Sequence, residues 1–199
     1  MAYHGYLPIV KDYISKLPHA PSVLEIGVDT GASYITLAHF LSKTREFFTL
    51  IGIDILIKES VKVIGSNLDL LENQNAILIE NNSLEALPAM VQNNMKFDVV
   101  MIDGDHNYHT VINELAAVKD LAYDHTMIVI DDYHGRWSEK DLWYAEREGY
   151  ENVKSASSKI DTEKHGVKVA VDDWLRENHE WKIFQPIVGE PVLLLKQKA

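Results

Sequence analysis

The chain has 199 residues, 46% of them hydrophobic, and a formal net charge of −11. That length builds one well-buried domain, residues 1–199, and is too short for two ordinary ones; the acidic balance argues against a general nucleic-acid surface, whose affinity comes from Lys and Arg displacing counterions. The absence of cysteine excludes disulfides, thiolate metal sites and cysteine nucleophiles.

The first residues, Met-Ala-Tyr-His-Gly-Tyr, lack the charged start and apolar core of a signal peptide. No apolar run approaches the ~18 residues of a membrane span, so the expectation is a soluble, cytoplasmic protein with no membrane partner. Ile9, Tyr13, Ile14 and Leu17 recur at helical spacing ahead of Pro18 and Pro21. This predicts a short amphipathic helix within residues 1–21 that caps the sheet or lines a ligand entrance.

Val23, Leu24 and Ile26 then make a short apolar run, Gly27 and Gly31 bracket a tight turn, and Tyr34, Leu37, Ala38 and Leu41 recur at helical spacing. The pattern reads strand, glycine turn, helix, and in an open α/β sheet the crevice above such a strand is where a nucleotide-like ligand sits. A pyrophosphate needs a second glycine close to the first and a turn free of negative charge. Here Asp29 occupies the middle and Glu25 the strand end. Two carboxylates suit a ligand carrying an ammonium group and a positive sulfur, S-adenosylmethionine; an ordinary βα turn with surface acids is the alternative.

Phe48 to Asp54 reads as a buried strand whose terminal acid lies about 20 residues beyond the glycines, where an acid accepts the ribose hydroxyls of an adenosine. A helix cap is the other reading of Asp54. Val61, Ile64, Leu68 and Leu71 predict a helix, Ala76 to Ile79 a third strand, and Leu84, Leu87 and Val91 another helix. Asn82 and Ser83 fall at the strand end, within reach of an adenine edge, although Asn-Ser is also an ordinary N-cap. Phe97 to Asp103 is a fourth buried strand running into Gly104-Asp105-His106-Asn107-Tyr108, and the following helix shows Val111, Leu115, Val118 and Leu121 on one face. Met127 to Asp132, the fifth strand, ends in two acids. The α/β alternation implies parallel strands with right-handed crossovers.

From Ser138 to about Ser158, Trp143, Tyr144 and Tyr150 follow Trp137 among many charges, with a short helix expected around Glu139 to Glu148. The segment 133–166 is expected to be a substrate loop or lid, or an oligomer contact, and exposed aromatics there suggest a homodimer. Val167, Val171, Trp174 and Leu175 predict an amphipathic helix. Trp181 to Gln185 and Val192 to Lys196, joined through Gly189-Glu190-Pro191, predict a closing antiparallel pair.

Asp103, Asp131 and Asp132 lie at the ends of adjacent strands and offer the oxygen ligands that a hard cation such as Mg²⁺ prefers; acids that cap loops or touch the cofactor are the alternative. Such a cation lowers the pKa of a bound hydroxyl and fixes its position.

Three blocks, Glu-Ile-Gly-Val-Asp-Thr-Gly, Ile-Asp-Gly-Asp-His-Asn-Tyr and Ile-Val-Ile-Asp-Asp-Tyr-His, resemble the class I S-adenosylmethionine-dependent methyltransferases. The resemblance runs to the small bacterial group of macrocin-type sugar O-methyltransferases, some labelled cephalosporin hydroxylase, and His165-Gly-Val-Lys-Val-Ala-Val-Asp-Asp-Trp-Leu is similar to the helix ending that group's substrate loop. It covers about Leu24 to Leu175. It implies a Rossmann-like three-layer sandwich with a seven-stranded sheet, one strand antiparallel near the C-terminus.

The resemblance also implies an acid at Asp103 and an Asp-Asn pair, as in catechol-type enzymes, where this chain has Asp131 and Asp132. His106 stands where those enzymes carry the lysine credited with deprotonating the hydroxyl, and a histidine acts near neutral pH. His106 is therefore the expected general base, with His134 and His165 behind it, His109 undecided, and His4, His19, His39, His125 and His179 expected at the surface or in packing. Asp105 is expected to face the adenine, and Tyr108 to pack or start the helix. The function expected is Mg²⁺-dependent O-methylation of a small-molecule hydroxyl, a sugar or natural-product intermediate. A metal-independent methyltransferase, a non-catalytic S-adenosylmethionine-binding module and, more distantly, a nicotinamide oxidoreductase are the alternatives. The hydroxylase label has little support in the sequence, which shows no clear pair of histidines with a carboxylate in an iron-site pattern.

Overall fold

The computed structural model describes residues 5–184 and 189–197. His4 and Gln185 lie outside the described residues. The chain runs α1 (Leu7–Ser15), β1 (Ser22–Ile26), α2 (Ala32–Thr44), β2 (Phe48–Asp54), α3 (Glu59–Ser66), β3 (Gln74–Glu80), α4 (Ser83–Gln92), β4 (Phe97–Ile102), α5 (Tyr108–Leu121), β5 (Ala122–Ile130), α6 (Val167–Glu177), β6 (Trp181–Ile183) and β7 (Val192–Lys196).

These strands form one seven-stranded sheet in the order β3-β2-β1-β4-β5-β7-β6. β7 runs antiparallel to both its neighbours, and the other strand pairs are parallel. The order reverses between β1 and β4, so their carboxyl ends flank a crevice. All six residues of β4 are buried, as a strand covered on both faces requires, whereas in edge strand β3 only Gln74 is buried and the rest are half-buried or exposed.

Strand alternation divides the core into two layers. Leu24, Ile26, Val100 and Ile102 face α4, α5 and α6 through Leu87, Leu115 and Val171. Val23, Val99, Met101 and Val129 face α1 and α2 through Val10, Ile14, Leu37 and Leu41. The result is the expected three-layer sandwich. Among the described residues, no helix is long and apolar enough to cross a membrane.

Two local expectations change. The helix after β2 stops at Ser66 with Val61 its buried residue, and Ile64 and Leu71 are exposed; Leu68 packs against the core from the chain beyond the helix, together with Leu70. Around Glu139 to Glu148 the chain forms a single 3-10 turn, Tyr144–Glu146. Its bonds go outward instead: Leu142 N donates to His106 O at 2.9 Å and Ala145 N to Ser157 O at 3.0 Å. The aromatics of this segment are packed rather than exposed, with Trp143 buried and Trp137 against the core. This removes the argument for a dimer through them.

Candidate functional site

A cavity lined by fifteen residues opens at the carboxyl ends of β1 to β4, the usual place of a ligand in an open α/β sheet. Of the residues expected to bind a cofactor, Gly27, Asp29, Asp54, Asn82, Ser83, Asp103 and Asp105 line it. Glu25 and Gly31 support it from outside the lining.

The turn after β1 is built by close backbone approach. Gly27 has φ +90°, and a Cβ there would lie 2.1 Å from Asp103 O, so only glycine fits. Asp54 ties the turn down: Oδ2 accepts from Val28 N at 2.7 Å and from Asp29 N at 2.9 Å, while Oδ1 accepts from Leu56 N at 2.9 Å. Gly31, at φ +78°, begins α2. Asp29 faces the opening and is paired with Lys58, so its charge is already partly matched.

Glu25 sits under the turn with none of its surface exposed, accepting from Ser33. Burial pushes its carboxyl up to about 8 despite the Ser33 bond, with Asp54 adding to the rise, and Oε2 is buried without a hydrogen-bond partner. Burial thus favours its protonated form over the anion that the sequence suggests.

On the far wall Asn82 is the N-cap of α4, accepting from Leu84 N at 2.8 Å and donating from Nδ2 to Ser155 O at 3.0 Å. Ser83 Oγ donates to Glu114 Oε1 at 2.6 Å. Glu114 is fully buried, its carboxyl is pushed up to about 8 chiefly by burial, and its Oε2 is buried without a partner. Asp105 accepts from Thr110 Oγ1 and Ser157 Oγ, both at 2.9 Å. The bond from Ser157, with the one from Asn82 to Ser155, straps the 138–158 segment over the cavity, where Tyr144 and Tyr150 line it with rings 4.9 Å apart, edge to face.

Beside the cavity stand the acids. The register pairs Ile102 with Ile130, so Asp103 and Asp131 leave neighbouring strands on the same side and their carboxyls hydrogen-bond to each other. Burial, then the Asp131 charge, hold the Asp103 carboxyl well above the ordinary range, as desolvation and a neighbouring like charge do. Tyr6, buried at the start of α1, feels both acids and Glu25 and bonds Ser33. A divalent cation would offset the repulsion between the two carboxyls, whose oxygens are the donors a hard metal prefers.

Asp132 joins this pair less closely than expected. Consecutive residues leave a strand on opposite sides; Asp132 has φ +56° and accepts from the amides of Arg136 and Trp137. A Cβ on Gly135 would fall 1.8 Å from Asp132 Oδ1. The three acids do not place ligand atoms within 4.8 Å of one another; among the described residues, the one such group is His19, Asp98 and His125, elsewhere in the fold.

His106 Nδ1 lies 3.4 Å from Asp132 Oδ2, and 12% of its side chain is exposed. Burial lowers its pKa despite the nearby Asp131 and Asp105 charges, favouring the neutral imidazole. His165 Nδ1 is bound to Asp141 Oδ2 at 2.7 Å, and His134 is exposed, its ring against Tyr133. His109 lies half-buried on α5 outside the cavity lining, and His39 and His179 are exposed. Tyr108 is the first residue of α5 and donates to Asp173 Oδ2 at 3.0 Å.

Sequence reasoning missed Asn81, Glu114 and Tyr6. Glu114 had a signal: three residues after Val111 and one before Leu115, it lies in an otherwise apolar helical stripe, where a carboxyl needs a partner. Tyr6 had none, because only the fold brings α1 onto β4.

A methyltransferase-domain family model matches residues 24–133. Comparison with curated protein sequences gives no match. Among solved structures, the chain is similar to the calicheamicin methyltransferase CalS11, with TM-score 0.65, 12% identity, and coverage of 95% of this chain and 76% of that one. It is also similar to a protein of Clostridium thermocellum described as an rRNA-methylase (TM-score 0.57, 15% identity, 98% and 96% covered). A third is MycE methyltransferase from the mycinamycin biosynthetic pathway, in complex with Mg, SAH and mycinamycin VI (TM-score 0.59, 16% identity, 98% of this chain and 50% of that one). At these identities the likeness speaks for the fold, and the matched family model for membership: the chain belongs to the methyltransferase-domain family and is a class I S-adenosylmethionine-dependent methyltransferase.

Proposed function

We propose that the protein is a Mg²⁺-dependent O-methyltransferase acting on a hydroxyl of a small molecule, a sugar or natural-product intermediate, with His106 as general base. The observation that carries this is the carboxyl pair of Asp103 and Asp131 at the edge of the cavity, with His106 Nδ1 3.4 Å from Asp132 Oδ2 beside it. Support for the acceptor class comes from neighbours described as a TDP-rhamnose 3'-O-methyltransferase and as a complex with Mg, SAH and mycinamycin VI. The net charge of −11 speaks against a nucleic-acid substrate.

S-adenosylmethionine would supply an electrophilic methyl on a neutral leaving group; Asp103 and Asp131 are the residues that would hold Mg²⁺, which would supply acidity to the acceptor hydroxyl. The remaining work is positional. Asp54 presents its carboxylate to the ribose hydroxyls while holding the turn. Ser83 and the protonated Glu114 form a neutral hydrogen-bonding floor, and Asn82 and Asp105 complete the wall on which the adenine edge rests. Tyr144 and Tyr150 close the cavity against water. His106 takes the hydroxyl proton, and Asp132 orients its ring and stabilises the imidazolium that forms.

The metal-independent alternative has one observation in its favour: both backbone amides at Arg136 and Trp137 occupy Asp132, leaving two acids rather than three to hold a cation. Turnover of sugar and phenolic hydroxyl acceptors with S-adenosylmethionine, assayed with Mg²⁺ and with EDTA, separates the readings. Activity lost with EDTA and restored by Mg²⁺ is expected; full activity in EDTA selects the metal-independent one.

A further inference from the structure

At the other end of the sheet, the amino ends of β1 and β4 meet the start of β5 and the connection after α1. There His19 Nε2 and His125 Nε2 converge on one oxygen, Asp98 Oδ1, at 2.7 and 2.6 Å. The sequence shows no clear pair of histidines with a carboxylate; the fold makes one from three distant positions. The three donor atoms lie within 4.8 Å of one another.

The carboxylate is built in rather than loosely placed. The side chain of Asp98 is 1% exposed, and its second oxygen accepts from Ser22 N at 2.7 Å and Ser22 Oγ at 2.9 Å. The histidine side chains are 44% and 39% exposed, so an ion reaches the site from solvent without opening the core. The ring of His125 is stacked on Tyr123 at 5.2 Å and 6° between planes, and its carbonyl accepts from Tyr13 Oη. The rings of His19 and His125 meet edge to face at 5.4 Å. One ligand is thus fixed, the second pre-oriented, and the third sits on the α1–β1 connection.

We propose that His19, Asp98 and His125 form a binding site for a divalent transition-metal ion of the zinc class, with solvent completing the coordination. Two imidazoles and one carboxylate suit Zn²⁺, whereas Mg²⁺ prefers an all-oxygen set. The ion replaces the two imidazole protons that otherwise face Asp98 Oδ1, and ties the connection after α1 to β4 and β5. Its role is structural, since the cluster lies at the end of the strands opposite the cavity. It is independent of the acceptor and of the Asp103–Asp131 pair.

The test uses the full chain, stripped with EDTA and exchanged into metal-free buffer. ZnCl₂ is titrated by calorimetry, followed by thermal unfolding, with MgCl₂ in a parallel arm. The wild type is expected to take one Zn²⁺ per chain with a Kd at or below about 1 μM and a raised unfolding temperature, neither reproduced by Mg²⁺. His19→Gln and His125→Gln, at partly exposed positions that tolerate change, should each weaken that first equivalent by at least about 10-fold and abolish the thermal shift. S-adenosylmethionine binding in the same samples should be unchanged. No saturable binding at about 100 μM Zn²⁺, or an isotherm unchanged in either variant, overturns the proposal.

Discussion

Ser83 and Glu114 join two helices under the cavity through one 2.6 Å hydrogen bond, from the serine hydroxyl to a carboxyl with no exposed surface. Burial lifts that carboxyl from 4.5 to about 8. The folded protein therefore keeps a proton there that the unfolded chain releases above about pH 4.5. Stability linked to this group is lost as pH rises from about 4.5 to about 8, because the unfolded state binds fewer protons across that window. Glu114→Gln removes the dependence. Urea unfolding at pH 5 and pH 8 should show the wild type losing on the order of a few kcal/mol more than the variant; equal losses would place the glutamate's charge elsewhere.

Gly27→Ala tests the closeness of β1 and β4. A Cβ 2.1 Å from Asp103 O, at φ +90°, forces the turn apart, at a cost of roughly 3 kcal/mol. A lowered unfolding midpoint together with lost S-adenosylmethionine affinity is expected. Unaltered stability would contradict the packing described for this turn.

His106→Gln should lower kcat about 10²- to 10⁴-fold, the usual worth of a positioned general base, with S-adenosylmethionine affinity unchanged. Single-turnover rates alongside calorimetry check both halves. A variant that keeps full kcat removes His106 from proton transfer.

Asp131→Asn removes the charge that faces Asp103. With no metal added, relief of that repulsion should raise the unfolding temperature, while activation of turnover by Mg²⁺ is lost. Were Mg²⁺ activation retained at wild-type strength, the carboxyl pair would not be the metal's seat.

The frame of this fold was legible because its central strands are continuous apolar runs. Phe48 to Asp54 matches β2 residue for residue, and the Tyr34, Leu37, Ala38 and Leu41 stripe of α2 is buried as its spacing requires. The juxtaposition of Asp103 with Asp131 was readable too, since parallel neighbours align their ends. Asp132 was not: whether the residue after Asp131 continues the strand or turns left-handed depends on Gly135, Arg136 and Trp137 folding back onto it. The 139–148 segment misled because its charges mimic a helix surface, while its backbone bonds go to His106 and Ser157. The His19, Asp98 and His125 group carries no local pattern, since three positions on separate elements meet only once the sheet is assembled.

The measurement that bears most directly on the account is calorimetric titration of the protein with S-adenosylmethionine, repeated with S-adenosylhomocysteine, each with Mg²⁺ and with EDTA. One molecule per chain should bind in all four titrations, because the cavity bounded by Gly27, Asp54, Ser83 and Asp105 is formed by the protein alone. Failure of both ligands to bind under any of these conditions would contradict the assignment of this cavity as the cofactor site, and with it the roles given to the residues that line it.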